Sequence, residues 1–216
     1  MRRRSFLRLG AGTATALAFG PDFWRAAYAE PARPGEGPYG ALAGRRPDDN
    51  GIVLPEGFRS RELARGGQPV AGTDLTWHVF PDGGATFPVG DEGWIYVSNS
   101  EHPSPGAGGV GALRFDADGE VVDARRILEG TRTNCAGGPT PWGTWLSCEE
   151  FDGGRVWECD PAGERPAEVR PALGTFTHEA VAVDPDGERL YLTEDRPDGR
   201  LYRFTPEAYP DLEAGV

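Results

Sequence analysis

Three short segments of this chain share one pattern, and that repetition constrains the fold more than any other feature. Tyr96-Val97-Ser98-Asn99-Ser100-Glu101, Trp145-Leu146-Ser147-Cys148-Glu149-Glu150 and Tyr191-Leu192-Thr193-Glu194-Asp195-Arg196 each run from an aromatic through an aliphatic and a hydroxyl residue to polar or acidic positions. A glycine turn and a further strand follow each, at 109–115, 154–160 and 199–204. The aromatic positions lie 49 and 46 residues apart. A four-stranded unit recurring every ~40–50 residues is the period of a β-propeller blade. In such a ring corresponding strand ends converge near a central channel, which would gather Glu101, Glu149, Glu150, Glu194 and Asp195.

The remaining pattern agrees with an all-β chain. Candidate strands fall at 94–98, 111–115, 120–122, 144–148, 155–159, 180–183, 189–193 and 200–204. Asp118-Gly119, Gly153-Gly154, Asp186-Gly187 and Asp198-Gly199 supply the positive-φ residues that hairpin turns require. No amphipathic helix of useful length follows the N-terminal segment. Propellers close with about four to eight blades, and residues 86–206 supply roughly two and a half to three. The expectation is therefore a propeller domain over 51–216 that forms an incomplete ring of about three blades, as a fragment would.

Residues 1–29 have the layout of an export signal. Arg3-Arg4-Ser5-Phe6-Leu7 matches the twin-arginine pattern, a mildly apolar run spans 10–20, and Ala27-Tyr28-Ala29 offers cleavage after Ala29. The apolar run is too short to span a bilayer, so no stable membrane anchor is expected. Twin-arginine export machinery becomes the implied partner, and the periplasm or extracellular space the implied location. Residues 30–50, rich in Pro, Gly and Arg, read as an extended arm or linker.

Charge narrows the functional classes. The formal net charge is −12 and every basic residue is Arg. Loss of residues 1–29 leaves 17 basic against 33 acidic residues, or −16. A sequence-independent nucleic-acid binder needs a basic face to neutralise phosphates, so the acidic balance argues against that class. Carboxylates in excess suit bound cations. The three cysteines, Cys135, Cys148 and Cys159, allow either a Cys148–Cys159 disulfide or buried thiols.

The densest concentration of chemistry lies in 134–150, where a small-residue loop carrying Asn134 and Cys135 leads through Pro141-Trp142-Gly143 into a strand ending in Glu149 and Glu150. Carboxylates and amides suit a hard ion such as calcium, whereas a thiolate recruits a softer transition ion. Thr177-His178-Glu179-Ala180 adds an imidazole beside a carboxylate, and Asn99 and Glu101 add an amide and an acid. Zinc-finger spacing, a metalloprotease helix, a phosphate-binding Walker loop and a serine-hydrolase elbow are all missing from the sequence.

The run Asn134-Cys135-Ala136-Gly137-Gly138, continued by Thr140-Pro141-Trp142-Gly143-Thr144-Trp145-Leu146-Ser147-Cys148-Glu149-Glu150, resembles the signature of PhoX-type alkaline phosphatases. Phe176-Thr177-His178-Glu179-Ala180, Tyr191-Leu192-Thr193-Glu194-Asp195 and Leu201-Tyr202-Arg203-Phe204 resemble that family's next segments in the same order, with coverage from about Gly57 onward. The resemblance implies a six-bladed propeller and an exported phosphomonoesterase. It implies iron(III) and calcium as cofactors and a small phosphate ester as substrate. By motif match Cys135 would be the thiolate ligand to iron, and Glu149, Glu150 and Glu179 carboxylate ligands. Asn99, Glu101, Asn134, His178, Glu194 and Asp195 would be weaker ligand or supporting candidates. The family's later Arg-x-Glu-type segment has no counterpart here. Two rival readings remain: a non-catalytic, calcium-binding secreted propeller, and a lactonase- or esterase-like propeller with a single calcium and no need of the thiol.

Overall fold

The computed structural model describes residues 39–216; the export-signal residues Arg3, Arg4 and Ala29 and the start of the arm lie outside the described residues. The chain divides into two compact units, one ending at Arg61 and the other running from Glu62 to Val216. In the first, the described residues form turns without strands. The Asp48 carboxylate accepts hydrogen bonds from the backbone N–H groups of Asn50 and Ile52, at 3.0 and 2.9 Å, and from the Ser60 hydroxyl.

The second unit is all-β. Eleven strands form three antiparallel sheets, and the described residues contain no α-helix, only a 3₁₀ turn at Pro171–Leu173. Sheet one is β1 (Pro81–Pro88), β2 (Trp94–Ser100), β3 (Gly108–Phe115) and β4 (Val121–Thr131), in that order. Sheet two is β5 (Asn134–Pro139), β6 (Trp145–Glu149), β7 (Val156–Cys159) and β8 (Glu168–Val169). Sheet three is β9 (His178–Asp184), β10 (Arg189–Glu194) and β11 (Leu201–Phe204).

Strand alternation gives each sheet two faces, and the apolar residues on them make the core. Val97, Val110, Ala112, Ile127 and Leu128 of sheet one bury against Trp145 and Cys159 of sheet two. The opposite face of sheet two, Leu146, Cys148 and Val156, packs against Val181, Leu190, Leu192 and Phe204 of sheet three, with Leu173 and Leu212 alongside. Val70 and Trp77 cover the far side of sheet one over Leu113 and Phe115. All three cysteines are buried free thiols, so the disulfide alternative is not realised.

The register shows the repeat directly. Ser98 pairs with Gly84 and Ser147 with Gly137, a step of 49 on the second strands. From sheet two to sheet three, Trp145–Cys159 becomes Leu190–Phe204, so both partners move by 45. The sequence alignment on aromatics had 46 for that step. The difference of one residue matters, because it exchanges the two faces of a strand. Tyr191 is thus the counterpart of Leu146, and Glu194 and Asp195 are the counterparts of Glu149 and Glu150.

Residues 134–139 form a strand where the sequence reading expected a loop. Their Gly-rich composition reflects close packing instead. A Cβ at Gly138 would collide with the Val181 carbonyl of β9, and one at Gly83 would lie 2.7 Å from the Ala136 Cα. The strands β1, β5 and β9 therefore run beside one another with little room for side chains.

Candidate metal centre

Each of these three adjacent strands begins with the same irregularity. Pro81 to Gly84, Asn134 to Gly137 and His178 to Val181 each set three residue steps against two on the partner strand. Such a bulge leaves an extra residue and re-aims its side chain. The first re-aimed residues are Asp82, Cys135 and Glu179. Facing them are Glu101, Glu150 and Asp195, immediately beyond the ends of β2, β6 and β10. One backbone bond pins each acid: Glu101 N–H to Phe80 O at 2.9 Å, Glu150 N–H to Thr133 O at 2.8 Å, Asp195 N–H to Thr177 O at 3.1 Å.

Three pairs, Asp82/Glu101, Cys135/Glu150 and Glu179/Asp195, thus occupy equivalent positions, and they meet. Ligand atoms of Glu101, Cys135 and Glu150 lie within 4.8 Å of one another, as do those of Glu150, Glu179 and Asp195. The Cys135 Sγ is 3.6 Å from Asp82 Oδ1 and 3.6 Å from Glu179 Oε2. Burial, then the Glu150 hydrogen bond and the negative charges of Glu179, Asp82 and Glu150, push the thiol far above its ordinary range. Glu101 is raised by burial and then by Asp82 and Glu179. Glu150 is raised by burial, with Asp195 and Glu179 adding to the rise and the Cys135 hydrogen bond opposing it. Acidic groups are crowded here against one another, a cost that a cation relieves.

The other sequence candidates are placed differently. Glu149 is 2% exposed and turned away: its carboxylate accepts from the backbone N–H of Arg132 and Arg155 and from the Trp157 indole. Glu194 is its equivalent, accepting from the Arg200 N–H and the Tyr202 hydroxyl. Both lock a turn rather than face the acidic group. Asn99 is fully buried and all four of its hydrogen bonds are made. Its amide donates to the Cys135 and Ala136 carbonyls at 2.9 and 2.7 Å, and its oxygen accepts from Trp145 Nε1 and Ser147 Oγ, each at 2.9 Å. Asn134 accepts from the Thr131 hydroxyl and donates to Ser147. His178 stacks on Phe176 with Nε2 on the Gly174 carbonyl, and burial holds its pKa near 4.

Sequence reading missed Asp82, because Pro81-Asp82-Gly83-Gly84 looks like a turn. The available signal was an acid or thiol followed by Gly or Ala, shared by Asp82-Gly83, Cys135-Ala136 and Glu179-Ala180. It becomes legible only with the strand equivalence.

The fold and this group of donors define an all-β protein with a candidate metal centre at converging strand ends. The family model for alkaline phosphatase PhoX matches residues 102–165 and 152–212, together just over half of the 216-residue chain. The chain belongs to the PhoX alkaline phosphatase family, a family of metalloenzymes. Cys135, Glu150, Glu179 and Asp195 lie inside the matched span, whereas Asp82 and Glu101 precede it. No curated protein and no solved structure matches the chain.

Proposed function

We propose that this chain carries part or all of an exported, metal-dependent phosphomonoesterase whose centre is built on Asp82, Glu101, Cys135, Glu150, Glu179 and Asp195. The observation that carries the reading is the threefold equivalence of these residues, each pair delivered by the same bulge and strand end. The donors are five carboxylates and one thiol. Carboxylate oxygens fit calcium, and a thiolate among carboxylates fits iron(III), so the donor set suits the mixed iron and calcium content implied by the family. Three sheets with adjacent inner strands and a common register support the propeller architecture.

Such ions, when bound, supply positive charge against the non-bridging oxygens of a phosphate ester. The protein's own contribution is to hold the donors rigidly. Asn99 fixes the Cys135 and Ala136 carbonyls, and the bond from the Glu150 N–H to Thr133 sets the carboxylate beside the thiol. Family membership also supports export, since its members are typically exported. Among the described residues no helix is long and apolar enough to cross a membrane.

The test is to produce the full chain with iron and calcium, measure both by elemental analysis, and follow phosphate release from a chromogenic monoester. Iron and calcium in near-stoichiometric amounts with turnover are expected, and Cys135→Ala should lose iron and activity together. Calcium without iron and no phosphate release would replace this reading with the non-catalytic one.

A further inference from the structure

The segment entering β5 carries two polar groups that no described residue satisfies. The Nε of Arg132 and the hydroxyl of Thr133 are buried without a hydrogen-bond partner among the described residues. Native proteins leave few such groups, and those they do leave call for an explanation. Thr133 also sits at φ 45°, a left-handed conformation that costs a β-branched residue energy. The backbone of this segment runs next to the donors. Thr133 O holds the Glu150 N–H at 2.8 Å, and Cys135 is two residues further on.

Arg132 is held without being neutralised. Its guanidinium lies 4.1 Å over the ring of Phe151, the residue directly after Glu150. Its backbone N–H bonds the Glu149 carboxylate at 3.3 Å. The side chain forms no ion pair among the described residues, whereas nearby Arg155 pairs with Glu149 and Arg196 with Asp152. An aromatic face fixes a guanidinium in place while leaving its edge donors free, and that edge matches the oxygens of a phosphate. The equivalent positions in the other two repeats, Val79 and Phe176, carry no charge.

We propose that Arg132, with the Thr133 hydroxyl, binds the phosphoryl group of a phosphate monoester at this centre and so sets its preference for the dianionic ester. The inference rests on the phosphomonoesterase reading and adds the protein's own cationic contact to it. The Arg132 edge donates to one or two phosphoryl oxygens, and Thr133 supplies a further donor.

The experiment compares wild type, Arg132→Met, Arg132→Lys and Thr133→Ala as full-length, metal-loaded proteins. Metal content is checked first. Inhibition by inorganic phosphate, phosphate binding by calorimetry, and kcat and KM on a monoester are then measured. Loss of a charged hydrogen bond predicts about 10- to 100-fold weaker phosphate binding and a comparable fall in kcat/KM for Arg132→Met at unchanged metal content. Arg132→Lys should recover part of both. Phosphate binding within about twofold of wild type in Arg132→Met would overturn the proposal while leaving the phosphatase reading intact. Wild type that binds metals but neither binds phosphate nor hydrolyses monoesters would overturn both.

Discussion

Asn99 ties the first sheet to the second, and removing its side chain is the sharpest test of how the centre is held. It lies on β2 yet makes all four bonds to sheet two: two carbonyls at the β5 bulge, the Trp145 indole and the Ser147 hydroxyl. Asn99→Ala removes all four. At about 0.5–1 kcal/mol net for each of the four, with about 1 kcal/mol added for the orphaned Trp145 N–H, the loss comes to about 3–5 kcal/mol. The residues around it have little room to collapse, since Val97, Ser98 and Ser147 are at most 1% exposed. Urea unfolding followed by Trp fluorescence, with metal removed by chelator so that ligand binding does not mask the change, measures this directly. With a slope of about 2 kcal/mol/M, the midpoint should fall by about 2 M. Asn99→Asp is the informative companion, because an aspartate still accepts from Trp145 and Ser147 but repels both carbonyls. It should destabilise at least as much as alanine. A midpoint shift below about 0.5 M for either variant would refute the claim that this side chain couples the sheets.

Two further outcomes follow from other parts of the fold. His78 is buried, bonded through Nε2 to Ser98, with burial first and then Arg126 holding its pKa near 4 against an ordinary 6.5. The unfolded chain therefore takes up the proton first, so this contribution is complete above pH 6.5 and is lost as pH falls toward 4. The loss should reach roughly 3 kcal/mol, and His78→Gln should abolish it; parallel stability–pH curves for the two proteins would contradict this. Gly138→Ala should lower the melting temperature by at least about 2 °C, since its Cβ meets the Val181 carbonyl and overpacking costs about 1–3 kcal/mol. An unchanged melting temperature would mean that β5 and β9 are not in tight contact.

The sequence already carried the strand-and-turn alternation, the repeat near 49 residues and the acid at the end of each second strand. Those are local properties: turns need positive φ, strands need alternating apolar residues, and both leave their mark on neighbouring positions. Cys135 and Glu179 stood out for the same reason, as reactive types beside a small residue, and Glu150 as one of two adjacent carboxylates. What local pattern could not supply was direction. Glu149 and Glu150 are adjacent and chemically alike, yet strand alternation sends one to the Arg155 turn and the other to the thiol. Asn99 and Asn134 have the chemistry of ligands but are engaged in bonds to other parts of the fold, Asn99 in four that reach up to 48 positions away and Asn134 in two.

The sequence by itself determined an all-β chain, the export-type N-terminal layout, the acidic balance and the family signature in 134–150. Tertiary structure alone decided that Asp82, Cys135 and Glu179 are equivalent, that the third repeat steps by 45 residues, and that six donors meet. The physical reason is the β-bulge, whose extra residue appears in sequence as one more small residue and acquires its meaning only when a partner strand fixes the register.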